Sequence, residues 1–186
     1  IMKKNRKKII FFLPSFKPGG ASYGILKLCE YLKTKQFNLF VICVGKCELN
    51  KELIKNKVKI LEMNVKSTFF SINQLKKSVS KIANSGNGKT IFVSNHHYAN
   101  VISMIALKDL VNIKKILIER TSLDQLRRSY NFYDFIKKRI ILFLIKIYYK
   151  KADKIIANSA RESKDVSQFC GCKTSFVYPG AFKKIS

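Results

Sequence analysis

The chain has 186 residues, enough for one large domain with a sizeable buried core, and its 47% hydrophobic and 26% charged content excludes a disordered or fibrous polymer. The formal charge of +26 favours anionic partners such as nucleic acid, anionic lipid or phosphorylated substrates. Nearly all of that excess is lysine spread along the whole chain, with only six arginines, which argues against a base-reading nucleic-acid domain and assigns part of the charge to AT-rich coding bias.

Residues 1–6 form a basic tail. Together with Ile9-Ile-Phe-Phe-Leu13 they imitate an export leader, but the apolar run stops after five residues at Pro14 without a cleavage pattern. The expectation is a cytoplasmic protein, and no segment approaches the ~20 apolar residues of a membrane span. Seven short, nearly all-apolar runs read as strands covered on both faces: 9–13, 39–44, 58–63, 90–93, 115–118, 154–157 and 175–177.

Helical periodicity fills the intervals. Residues 22–35 align Ile25, Leu28, Cys29 and Leu32 on one face, residues 71–85 align Ile72, Leu75, Val79 and Ile82, and residues 100–110 carry Val101, Ile102, Ile105 and Leu110. Ser159 and Glu162 form a capping box that opens a helix reaching about residue 169. Strand and helix alternating this often imply right-handed crossovers, hence an α/β fold with a doubly wound, mostly parallel, Rossmann-like sheet of about seven strands.

Function in such a sheet gathers at the carboxyl ends of the strands. The first strand runs through Pro14 to Gly19-Gly20-Ala21 and a helix start, where free amides and the helix dipole suit an anion and the glycines permit positive φ. A diphosphate-facing turn and a plain Pro-Gly-Gly turn are both open here, since the spacing is neither a P-loop nor GxGxxG. The fourth strand ends in Asn95, His96, His97, Tyr98 and Asn100, the fifth in Glu119, Arg120, Thr121 and Ser122, and the sixth in Asn158 and Ser159. Groups that bond sugar hydroxyls thus share a rim with a cation suited to phosphate. His96 and His97 are the candidates for a catalytic role, and Arg120 either contacts phosphate or pairs with a local acid such as Glu119.

Five cysteines, odd in number and without zinc spacing, read as reduced thiols, and no metal is implied. Residues 130–149 combine a wide apolar face, including Phe135, Ile136 and Ile140, with Lys137, Lys138 and Lys146. That segment reads either as a core helix with a solvated edge or as a face against an anionic membrane, with Phe69 and Phe70 as a second wedge.

Four pieces in this order, Gly19-Gly20-Ala21, Glu119-Arg120-Thr121, Ala152-Asp153 through Asn158-Ser159, and Val177-Tyr-Pro-Gly180, resemble the N-terminal half of family 4 glycosyltransferases with the GT-B fold. The similarity spans roughly residues 7–180 and is nearest the bacterial branch that builds capsular, lipopolysaccharide or lipid-linked glycans. It implies a retaining transferase of two Rossmann-like domains, with a nucleotide-sugar substrate, no cofactor and no obligatory metal. Residues 7–178 would be the acceptor domain and 179–186 the start of the crossover to a donor domain outside this chain, together with the family's Glu-x7-Glu element and nucleotide pocket. The resemblance further implies that Gly19, Gly20 and Ala21 face the donor diphosphate and that Asn95, His97, Asn100 and Arg120 contact a glycan or lipid-linked acceptor. Membrane contact through Phe69, Phe70, Lys137, Lys138 and Lys146 would place the enzyme at the inner face of the cytoplasmic membrane. Ser22 and Tyr23 stand where many relatives have Glu-Arg, and this 186-residue chain alone is expected to be inactive. The alternative is a basic nucleic-acid-binding or membrane-surface module without catalysis.

Overall fold

Every residue of Lys8–Leu13 (β1) is buried, with Ile9, Phe11 and Leu13 packing into one layer and Ile10 and Phe12 into the other. That alternation marks a central strand covered on both faces. The computed structural model describes residues 6–178; the start of the basic tail and residues 179–186, with Pro179 and Gly180, lie outside the described residues.

Seven strands pair in parallel: β1, Asn38–Cys43 (β2), Lys59–Glu62 (β3), Thr90–Asn95 (β4), Ile113–Glu119 (β5), Lys154–Ala157 (β6) and Ser175–Phe176 (β7). Their order is β3-β2-β1-β4-β5-β6-β7, so the winding reverses between β1 and β4. The crevice beyond the carboxyl ends of those two strands is where a doubly wound sheet opens to a ligand.

The helices are Gly20–Thr34 (α1), Asn50–Lys55 (α2), Ile72–Asn84 (α3), His97–Ala106 (α4), Asp124–Arg127 (α5), Phe132–Tyr148 (α6) and Ala160–Cys170 (α7). Ile25, Cys29 and Leu53 of α1 and α2 pack on one face of the sheet, and Leu75, Val79 and Ala99 of α3 and α4 on the other. A third cluster joins Val101 and Leu117 to Ile141, Ile145 and Val166, which seats α6 and α7 beside β5 and β6.

Several boundaries differ from the sequence reading. β4 and β5 run on to Asn95 and Glu119, because pairing with one neighbour, Asn95 with Ile118 of β5 and Glu119 with Ala157 of β6, holds a polar residue in the ladder where hydropathy alone ends the strand. α4 starts at His97, three residues early, and α2 was missed, since six residues with one buried side chain carry no periodicity. Asp153 of the Ala-Asp motif is a clasp: its carboxylate accepts the Lys115 amide at 2.7 Å, and its own amide donates to the Lys115 carbonyl at 3.0 Å. Ser159 caps α7 as expected, accepting the Glu162 amide at 3.1 Å.

Lys8 is the exception among the apolar residues of β1. Its buried ammonium donates to the carbonyls of Ala83 (2.7 Å) and Gly86 (2.9 Å), closing the carboxyl end of α3 against the sheet. Lys8→Met keeps the stem and removes the donor, so it is expected to cost about 1.5–3 kcal/mol, read as a lower urea midpoint with unchanged slope.

Candidate functional site

Four strand ends and one helix start build the site. α1 begins at Gly20 with no side-chain cap and no acid in its first turn. The amides of that turn have no intrahelical acceptor and lie at the positive end of the helix dipole. The glycine pair does not work as the sequence suggested: Gly19 is extended at φ 167° and neither glycine lies in the left-handed region. A Cβ on Gly20 would meet nothing within 4 Å, so the pair leaves open space in front of the amides.

Positive φ falls instead on His96, at φ 82° and ψ 139° between β4 and α4. A side chain there costs about 1–3 kcal/mol and persists only where its surroundings over-determine the backbone. They do so here, because the His96 amide donates to the Ile118 carbonyl at 3.1 Å and its carbonyl accepts the Asn100 amide at 2.8 Å. The imidazole is held in the crevice and pulled below its usual pKa, first by burial and then by His97, against an opposing effect of Glu119. Near neutral pH it is uncharged, with one nitrogen to donate and one to accept.

With the folded pKa below the ordinary histidine value of 6.5, the unfolded chain binds more protons as pH falls past that value. Stability is therefore expected to decline on acidification from about pH 7 toward the lowered folded pKa, and His96→Asn, which tolerates positive φ better, should remove that part of the slope. Urea midpoints at several pH values check this; equal slopes in both proteins would contradict it.

Glu119, at the end of β5, turns inward and is fully buried. Its Oε1 accepts a hydrogen bond from Asn100 Nδ2 at 2.6 Å and a short one from the Tyr149 hydroxyl, and Asn100 Nδ2 also donates to the Ile118 carbonyl at 3.1 Å. Burial, and then the charge and hydrogen bond of Glu119, push the Tyr149 hydroxyl far above its ordinary pKa, so it stays a donor. His97 Nδ1 lies 3.9 Å from Glu119 Oε2. His97 and Asn100, expected on the acceptor rim, thus sit one layer beneath it, because the turn at His96 rotates α4 inward. Sequence reasoning missed Tyr149, which lies 30 residues from Glu119 in an apolar run.

Arg120 does not pair with Glu119. Its Nε donates to Asn95 Oδ1 at 2.8 Å, and Nη1 lies 3.5 Å from the Gly20 carbonyl. The guanidinium rests on α1 at Gly24, where an added Cβ would come within 3.2 Å of Nη2. Among the described residues no carboxylate forms an ion pair with it, although burial lowers its pKa. A cavity of about 540 Å³ lies here, lined by Ser15, Ala21, Asn95, His96, Arg120 and Asn158 among others. It brings together the ends of β1, β4, β5 and β6.

Of the residues expected at a membrane, Phe69 and Phe70 are well exposed, packed edge to face at 5.9 Å. Lys137 lies 5.2 Å from the Tyr98 ring centroid, and Lys146 is exposed. Lys138 is committed locally, 2.7 Å from both Asp134 Oδ2 and the Arg128 carbonyl. Among the described residues no helix is long and apolar enough to cross a membrane.

No family model and no curated protein matches the sequence. Solved structures do match. A glycosyltransferase from Rickettsia africae ESF-5 superposes with a TM-score of 0.62 at 20% identity, over 95% of this chain and 44% of that one. Anabaena Alr3699/HepE, solved in complex with UDP and glucose, gives 0.60 at 20% identity, over 95% and 45%. Acinetobacter baumannii MurG gives 0.53 at 11% identity, over 96% and 47%. The likeness shows the fold, one Rossmann-like domain of the GT-B kind, and this chain spans less than half the length of each of these neighbours.

Proposed function

We propose that this chain is the acceptor-side domain of a retaining, family 4-like glycosyltransferase that moves a sugar from a nucleoside-diphosphate donor to a glycan or lipid-linked acceptor. The observation that carries the reading is Arg120: a half-buried guanidinium without a carboxylate, at the topological switch point, beside the uncapped start of α1. A half-buried cation with no carboxylate partner among the described residues calls for an anionic ligand, and a helix start a few ångströms away favours the same charge. HepE, which shares the fold, is known in complex with UDP and glucose, the chemistry such a site suits.

In this mechanism an acceptor hydroxyl attacks the anomeric carbon on the face from which the nucleoside diphosphate departs, and its proton passes to the departing diphosphate oxygen. The amides of Gly20 and Ala21 and the guanidinium of Arg120 face the growing diphosphate charge, a preorganised electrostatic contribution. Asn95 fixes the Arg120 fork, and neutral His96 offers a hydrogen bond to a sugar or acceptor hydroxyl. Nothing in this scheme asks for a metal or cofactor. Envelope polysaccharide synthesis at the cytoplasmic face of the membrane is the setting that the exposed Phe69, Phe70 and Lys146 support.

The test is transfer of labelled sugar from UDP-sugars to a bacterial lipid and glycan extract by the complete protein that carries this domain. Extract-dependent incorporation with retained anomeric configuration is expected. Absence of incorporation, with tight salt-sensitive binding to oligonucleotides instead, would replace the reading with a nucleic-acid module.

A further inference from the structure

A second cavity, of about 730 Å³, opens beside the first and shares Pro14 and His96 with it. It runs between α4 and α6 under the loop before α3, with walls from Phe69, Ile102, Ile105, Ile136, Ile140 and Leu144. No acid lines it, and Lys137 is its one ammonium group. Lys137 lies 5.2 Å from the Tyr98 ring centroid, and that ring stacks on His96 with centroids 6.0 Å apart, so the cation stands at the His96 end. The order along the groove is therefore polar cavity with Arg120 and His96, then one ammonium, then hydrocarbon.

Resting on the acceptor reading above, we propose that the groove between α4 and α6 holds the hydrocarbon chain of an amphiphilic acceptor whose phosphate lies at Lys137 and whose hydroxyl end reaches His96. A sugar without a chain would leave this surface wet, and an open apolar volume this large beside a polar cavity is the shape of a ligand site. A bilayer surface fits less well, because the groove is recessed between helices, and the exposed Phe70, Phe132 and Phe143 lie outside it.

The test measures binding of monomeric hexyl, octyl and decyl phosphate, each below its micellar concentration, to the 186-residue chain by calorimetry and amide chemical shifts. Affinity is expected to rise with chain length, at most about fourfold per CH2, with shifts at Tyr98, Ile105 and Ile140. Ile140→Asp, at a position 53% exposed and so tolerant of charge, should flatten that dependence. Phe143→Asp, on the same helix but outside the groove, should preserve it. Lys137→Ala should weaken alkyl phosphates by up to about fivefold and leave octyl glucoside unchanged.

Chain-length-independent affinity, equal losses in Ile140→Asp and Phe143→Asp, or binding only to anionic vesicles would overturn the proposal. If these arms fail while UDP-glucose still shifts Arg120 and Gly20, the groove loses its ligand and the transferase reading stands. The reverse pattern would keep the groove and sink the transferase.

Discussion

Glu119→Ala is expected to destabilise the chain by about 3–5 kcal/mol, a large share of the ~5–15 kcal/mol that holds a domain together. The carboxylate is fully buried and is the acceptor for both the Asn100 amide and the Tyr149 hydroxyl. Its removal strands the Tyr149 hydroxyl, at about 1–3 kcal/mol, leaves Asn100 with only the Ile118 carbonyl and the Tyr149 oxygen, and opens a cavity in the core that adds to the cost. Glu119→Gln, which keeps one oxygen but turns a donor toward other donors, should cost about half as much. Tyr149→Phe should fall in the same range, and a double-mutant cycle between the two positions should give a coupling above about 1 kcal/mol. Urea denaturation measures all of these. A Glu119→Ala cost below about 1 kcal/mol would show that the network does not hold β5, α4 and the end of α6 together.

Arg120→Ala carries the largest expected functional effect, a loss of about 10²–10³ in kcat/KM for sugar transfer by the complete protein. Stability should change little, because the guanidinium makes one strong side-chain bond, to Asn95, and otherwise rests on the surface of α1 at Gly24. Arg120→Lys should recover only a small part of the activity, since an ammonium cannot bond Asn95 through one nitrogen and still present a planar pair to a phosphate. Asn95→Ala acts through Arg120 and should raise KM more than it lowers kcat. A normal turnover number in Arg120→Ala would place the diphosphate elsewhere.

Most of the fold was legible because seven apolar runs alternate with 3.6-residue patterns, and the capping box at Ser159 placed the start of α7. The pattern fixed the strands but not their ends: Asn95 and Glu119 belong to the ladder through pairing with neighbours that hydropathy does not encode. The rim residues were legible as types. Their facing was not, because one unusual backbone angle at His96 turns His97 and Asn100 inward and leaves His96 and Arg120 at the crevice, with the buried Asn95 holding Arg120. At the glycine pair the expected left-handed φ is absent and lies at His96 instead, while a Cβ on Gly20 would meet nothing within 4 Å. Tyr149 could not be read at all. A tyrosine ending an apolar helix looks like packing until the carboxylate it meets, supplied by another strand, is in view.

The central claim is that the crevice beyond β1, β4 and β5 receives a sugar diphosphate. Titration of the isotopically labelled chain with UDP-glucose into the millimolar range, followed by amide and arginine side-chain chemical shifts, tests it most directly. Shifts concentrated at Gly20, Ala21, His96, Arg120 and Thr121, and lost in Arg120→Ala, are expected. Shifts confined to the opposite edge of the sheet, around Lys33, Lys57 and Lys59, or none at any concentration, would contradict the account.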